Sequence, residues 1–161
     1  MARPLTPIFH WAIRLVIGGI FLYAGIVKIW NFKDGDWATQ DFAHDVMNYH
    51  LTSWTASILT AIYLPWLEVI AGLCLAVRRF EAGAIAILSG LTAAFLVAIS
   101  SAWARGLDIT CGCFGKVKEG GVNKTNFPLH IAGDTALLIG LVILGLALCR
   151  MHQGNGVKEE G

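Results

Sequence analysis

Two cysteines separated by one glycine stand in the segment Arg105-Gly-Leu-Asp-Ile-Thr-Cys111-Gly-Cys113-Phe-Gly115. Two thiols this close can join in a small, strained disulfide ring. Strain raises the reduction potential and makes the bond a ready oxidant. Gly112 and Gly115 lift the steric barriers to the backbone that such a ring requires. Arg105, Lys116 and Lys118 would stabilise a thiolate, the form that attacks a disulfide, and His130 is a candidate proton acceptor. The chemistry these residues point to is thiol–disulfide exchange at Cys111 and Cys113. Other readings stand beside it: a static disulfide that staples the loop, a pair of unreactive packed thiols, or half of a metal site. The last would need His44, His50 and His130 to converge from separate segments, so no metal is expected.

A second set of residues is notable for its surroundings. Arg14, Glu68 and Asp134 lie within long apolar stretches, where an unpaired charge costs about 2.5–3.5 kcal/mol on insertion scales. Rising about 1.5 Å per residue, Arg14 and Glu68 each fall roughly 10–13 Å from the same end of their stretches, so an Arg14–Glu68 ion pair is expected. Asp134 lies nearer the opposite end, within reach of Lys28 or Arg105. One reading makes Arg14, Glu68 and Asp134 the lining of a site for a quinone headgroup, or proton carriers. The other makes them paired charges that fix helix register. Pro65, three residues before Glu68, frees backbone groups near that carboxylate.

The elements that hold these groups are set by composition. Of 161 residues, 56% are hydrophobic and 14% charged, against about 25% charged in soluble domains, and the mean hydropathy is +0.63. Four stretches reach the roughly 20 apolar residues that cross a bilayer: about 9–30, 54–77, 82–104 and 129–149. Their continuity excludes the alternating strands of a membrane barrel. The expected fold is all-α, a single integral membrane domain over 1–161 with a four-transmembrane-helix bundle. The first stretch lacks a small-residue cleavage site, and Lys28 and Trp30 read as an interfacial anchor, so it is taken as a span and not a signal peptide. Trp37, Phe42, Val46 and Tyr49 recur at three- and four-residue spacing in the first long loop. They predict a short amphipathic helix lying on the bundle or on the membrane surface, in a loop suited to docking a partner. Arg78-Arg79-Phe80-Glu81 predicts a tight hairpin, and about 152–161 a disordered tail.

Small residues mark candidate packing faces: Gly18 and Gly25, Gly83 and Gly90, and Gly133 and Gly140 are each seven apart. Cys74 and Cys149 fall at the opposite end from Cys111 and Cys113, and both read as buried small hydrophobes. Lys and Arg divide six and six between the two sides. The short loop carrying Arg78 and Arg79 tips the balance toward cytoplasmic termini, with both long loops in the periplasm. A net charge of +1 gives no field for nucleic acid.

Arg14 with Phe21-Leu-Tyr-Ala-Gly-Ile-Val-Lys28, Leu64-Pro-Trp-Leu-Glu68 running on to Gly72, Arg105-Gly-Leu107 leading to Cys111-Gly-Cys-Phe-Gly115, and Asp134 early in the last span form a pattern across roughly residues 10–148. It resembles the DoxX-like membrane proteins, and within them the methylamine-utilisation MauE branch. The resemblance implies a four-helix protein of the bacterial inner membrane, associated with maturation of a disulfide-rich periplasmic subunit and with thiol redox chemistry near thioredoxin-like proteins. It implies no cofactor with certainty. The expected partners are the lipid bilayer and a periplasmic thioredoxin-like or disulfide-containing protein. The alternative is a non-enzymatic assembly subunit of a larger membrane complex, with Cys111–Cys113 as a static clip.

Overall fold

A computed structural model describes residues 7–31, 36–51, 53–106 and 127–159. Five helices follow one another: α1 (Pro7–Ile29), α2 (Thr39–Asn48), α3 (Trp54–Val77), α4 (Glu81–Ala104) and α5 (Phe127–Glu159). Between α1 and α2, the two-residue strands β1 (Trp30–Asn31) and β2 (Asp36–Trp37) pair antiparallel. The rings of Trp30 and Trp37 meet edge to face at 5.7 Å across this ladder. Four helices are long and apolar enough to span a membrane, over His10–Ile29, Trp54–Val77, Glu81–Ala104 and Pro128–Arg150. These spans agree with the sequence within one or two residues at every end, because a run of apolar side chains long enough to cross a bilayer has few other uses.

The short α3–α4 connection is the expected hairpin. Arg78 and Phe80 take left-handed backbone (φ 62° and 56°), and the Arg78 and Arg79 amides both close on the Cys74 carbonyl. α5 continues as helix to Glu159, past the end of the span and into the segment that the sequence reads as a disordered tail. No proline interrupts residues 129–161, so the backbone has no forced stop.

The core of the bundle is Ile17 and Phe21 of α1, Ala71 and Leu75 of α3, Ala84, Ile85 and Leu88 of α4, and Leu141 and Leu144 of α5. Backbone approach is closest between α1 and α3. A Cβ on Gly18 would stand 2.9 Å from the Gly72 carbonyl oxygen, and one on Gly25 would stand 2.8 Å from that of Pro65. Of the three glycine pairs expected to pack, only Gly18–Gly25 packs with both members. Gly83, Gly90 and Gly133 border open space, and Gly140 meets only the Ile17 side chain. The true counterpart of Gly18 is Gly72.

These contacts also fix the stagger. Gly18 lies level with Gly72 and Ala76, and Gly25 with Pro65 and Val69. α3 therefore runs beyond the end of α1 by about two turns at the end that carries the long loops. α2 packs along this overhang, burying Phe42 and Ala43 against Ala61. The amphipathic helix is real, but its apolar residues are spent on the bundle: Phe42 and Tyr49 are buried, and only Trp37, ahead of the helix, is exposed. Phe42 and Tyr49 are thus not available for docking a partner.

Candidate functional site

The best-formed polar site lies beneath α2. Lys28 Nζ donates to both Glu68 carboxylate oxygens at 2.7 Å. Both side chains are about 3% exposed. Lys28 also sits 5.5 Å from the ring centre of Phe42 and 5.1 Å from that of Phe95, so aromatic faces complete its cage. The pairing follows from helix direction. Cα–Cβ bonds tilt toward a helix's own N-terminus, and α1 and α3 are antiparallel, so Lys28 and Glu68 lean toward each other across roughly one turn of stagger.

This corrects two expectations. Glu68 pairs with Lys28 and not with Arg14, and Lys28 is a buried partner and not an interfacial anchor. A depth reckoned from helix ends treats the spans as flush, whereas here they are offset. Arg14 lies near the α3–α4 hairpin instead, with its Nη1 3.8 Å from Glu81 Oε2. His10 Nε2 lies 3.7 Å from Glu81 Oε1. Both separations exceed hydrogen-bonding distance, and His10 Nε2, Arg14 Nε and Glu81 Oε1 are buried without a hydrogen-bond partner among the described residues.

Asp134 of α5 lines the same cavity as Lys28, one of its two expected partners, with no hydrogen bond or ion pair between them among the described residues. Lys28, Glu68, Thr92, Phe95 and Asp134 line one cavity of about 30 Å³, closed on its apolar side by Ile20, Phe21, Ala24 and Leu137. That volume holds a water or two. It is an order of magnitude below the roughly 300 Å³ at which small-molecule sites begin, so Glu68 and Asp134 do not enclose a quinone headgroup in this conformation. Arg14, named with them as a lining residue, is not part of the cavity. Asp134 Oδ2 is buried without a hydrogen-bond partner among the described residues. His130 stands four residues earlier on the same helix, and Lys28 lines the same cavity.

Arg105, the other expected partner of Asp134, is engaged elsewhere. It caps α4 by donating to Ser101 O and reaches the Tyr49 carbonyl at 2.5 Å. That bond ties the end of α2 to the point where the chain leaves for the Cys-Gly-Cys segment. Cys111 and Cys113, with Lys116 and Lys118, lie outside the described residues. The described chain stops at Gly106 and resumes at Phe127, so α4 and α5 flank the segment at the end of the bundle where Lys28 and His130 lie. Cys74 is half-buried against the core, as expected for a small hydrophobe, but Cys149 is exposed. α5 packs through one narrow face, and Cys149 is off it.

Sequence reasoning did not name Thr92, Phe95 or Glu81 for the site, and gave Lys28 only as an interfacial anchor and a partner for Asp134. A signal for Lys28 was present. Arg14, Ile17, Phe21, Ala24 and Lys28 recur at alternating three- and four-residue steps, and all five are at most 6% exposed, which places Lys28 on the buried face.

The model of the family described as methylamine utilisation protein MauE matches residues 6–149, a range that takes in all four spans, the buried charges and the Cys-Gly-Cys segment. The chain belongs to the MauE family. No curated protein and no solved structure matches it. Within the MauE frame, the four spans and the cavity beneath α2 describe a multi-pass membrane protein with a buried lysine at one end of its bundle.

Proposed function

We propose that this MauE chain is a membrane thiol–disulfide redox protein that supports disulfide formation in periplasmic proteins through Cys111 and Cys113. In the productive step a thiolate of the substrate protein attacks the Cys111–Cys113 disulfide, and a mixed disulfide resolves to give an oxidised substrate and a reduced pair. Two electrons and two hydrogens pass from substrate to pair, and a thioredoxin-like disulfide or a membrane quinone takes them on. The cavity offers no room for that quinone, so the acceptor meets the pair at the membrane surface.

The observation that carries this reading is the tether. Four residues of chain lie between Gly106 and Cys111, so that five steps give a reach of at most roughly 18 Å, and Arg105 beside Gly106 is held to Tyr49. A reactive pair on so short a leash suits exchange with a partner that approaches the bundle from one side. The likeness of the Cys-Gly-Cys-Phe-Gly segment to that of DoxX-like, redox-associated proteins supports the same conclusion. The bacterial inner membrane, with the termini cytoplasmic, is the location this chemistry requires.

The test is complementation of a strain lacking the chain, reading the disulfide content of its periplasmic proteins. At equal membrane level, Cys111→Ser with Cys113→Ser leaves substrate thiols unoxidised. Full complementation by the double variant would make the pair a static clip and the chain an assembly subunit.

A further inference from the structure

We propose that Lys28, Glu68 and Asp134 form a site inside the bundle that binds one proton together with one water.

The argument begins with charge. The cavity is lined by one ammonium and two carboxylates, so with all three ionised the site carries one uncompensated negative charge in an apolar surround. Carboxylates that share a site do not both ionise there, and the proton they hold belongs to the pair. Geometry says where it rests. Both oxygens of Glu68 are taken by Lys28 at 2.7 Å, whereas Asp134 Oδ2 is buried with no partner among the described residues. The proton therefore sits on Asp134, and the cavity of about 30 Å³ provides the water that accepts its hydrogen bond. Loading is balanced as a carboxylate and a hydronium giving a carboxylic acid and a water.

No other charged side chain lines the cavity among the described residues. α4 contributes Thr92, whose hydroxyl donates to Leu88 O and keeps lone pairs for a water, and the Phe95 ring. α2 contributes the Phe42 ring over Lys28. His130 is half-buried one turn nearer the loop end on the same helix as Asp134. This site stands independently of the thiol chemistry and would exist in a chain whose cysteines are inert.

Infrared difference spectroscopy of the purified chain in lipid nanodiscs tests it. Wild type minus Asp134→Asn, near neutral pH, shows the carbonyl stretch of one protonated carboxylic acid, and the band shifts in D2O because water reaches it. Wild type minus Glu68→Gln shows loss of an acid band too, since Asp134 is then the remaining carboxylate in the cavity lining and ionises beside Lys28. If Asp134→Asn does not fold, the Glu68→Gln difference carries the same reading. Absence of an acid band from both differences overturns the shared proton. A band untouched by Glu68→Gln makes Asp134 a solitary acid and overturns the coupled site, and a band that does not shift in D2O overturns the water.

Discussion

Lys28 shows how far a single residue's role depends on its neighbours. By type and position it is a cation one residue from the end of a span, the usual place for a side chain that snorkels to the headgroups. Its register on the buried face, the backward tilt of its side chain and the stagger of α3 turn it inward onto Glu68 instead. Its removal is costly because the partner stays behind. Lys28→Met, leaving Glu68 buried and unpaired, is expected to lower stability by about 3–5 kcal/mol, whereas Lys28→Met combined with Glu68→Leu recovers most of that loss. Thermal unfolding in detergent measures both, and a double variant no more stable than the single one would show that the pair is not the unit. The buried charges were legible as a set because charge inside an apolar run is conspicuous. Their pairing was not, since it depends on register. Cys111 and Cys113 stand at the other extreme: their spacing is informative in the sequence, and they lie outside the described residues, so the structure bears on them only through the tether at Gly106.

Among the elements, the spans were legible and their packing was not, for one physical reason. Lipid tails are as apolar as a protein core, so a membrane helix shows no polar face to betray which side it buries. Small residues are the surviving signal, and they mislead when taken by spacing alone. Gly83 and Gly90 repeat as regularly as Gly18 and Gly25 but border open space. This separates two sets of substitutions. Gly25→Leu drives a side chain into the Pro65 carbonyl and Val69, neither of which can move without parting α1 from α3, and is expected to cost about 1–3 kcal/mol or more. Gly133→Ala meets nothing and gains up to about 1 kcal/mol from helix propensity. The same unfolding assay ranks them, and equal effects at Gly25 and Gly133 would mean that the α1–α3 contact is not the tight one. α2 was legible in outline from its three- and four-residue spacing. That it caps Lys28 through Phe42 needed the overhang of α3.

At the scale of the whole molecule, the four spans are unequally enclosed: 39% of the α1 span is buried against 11% of the α5 span. α5 offers most of its apolar surface to lipid or to another chain, while α1, α2 and α3 close around the buried lysine. An even number of spans brings both ends of the chain to one side. α2 and the buried Lys28 lie at the other end of the bundle, where α4 ends at Ala104 and α5 begins at Phe127. The thiol chemistry proposed for Cys111 and Cys113 is the central claim. The most direct test is the redox state of Cys111 and Cys113 in intact cells, fixed by acid quenching and read with a membrane-impermeant thiol reagent before and after mild reductant. The account predicts a pair that is partly oxidised, labelled from outside, and shifted toward the dithiol by mild reductant. A pair that is wholly oxidised and indifferent to reductant, or reached only from the cytoplasm, would contradict it.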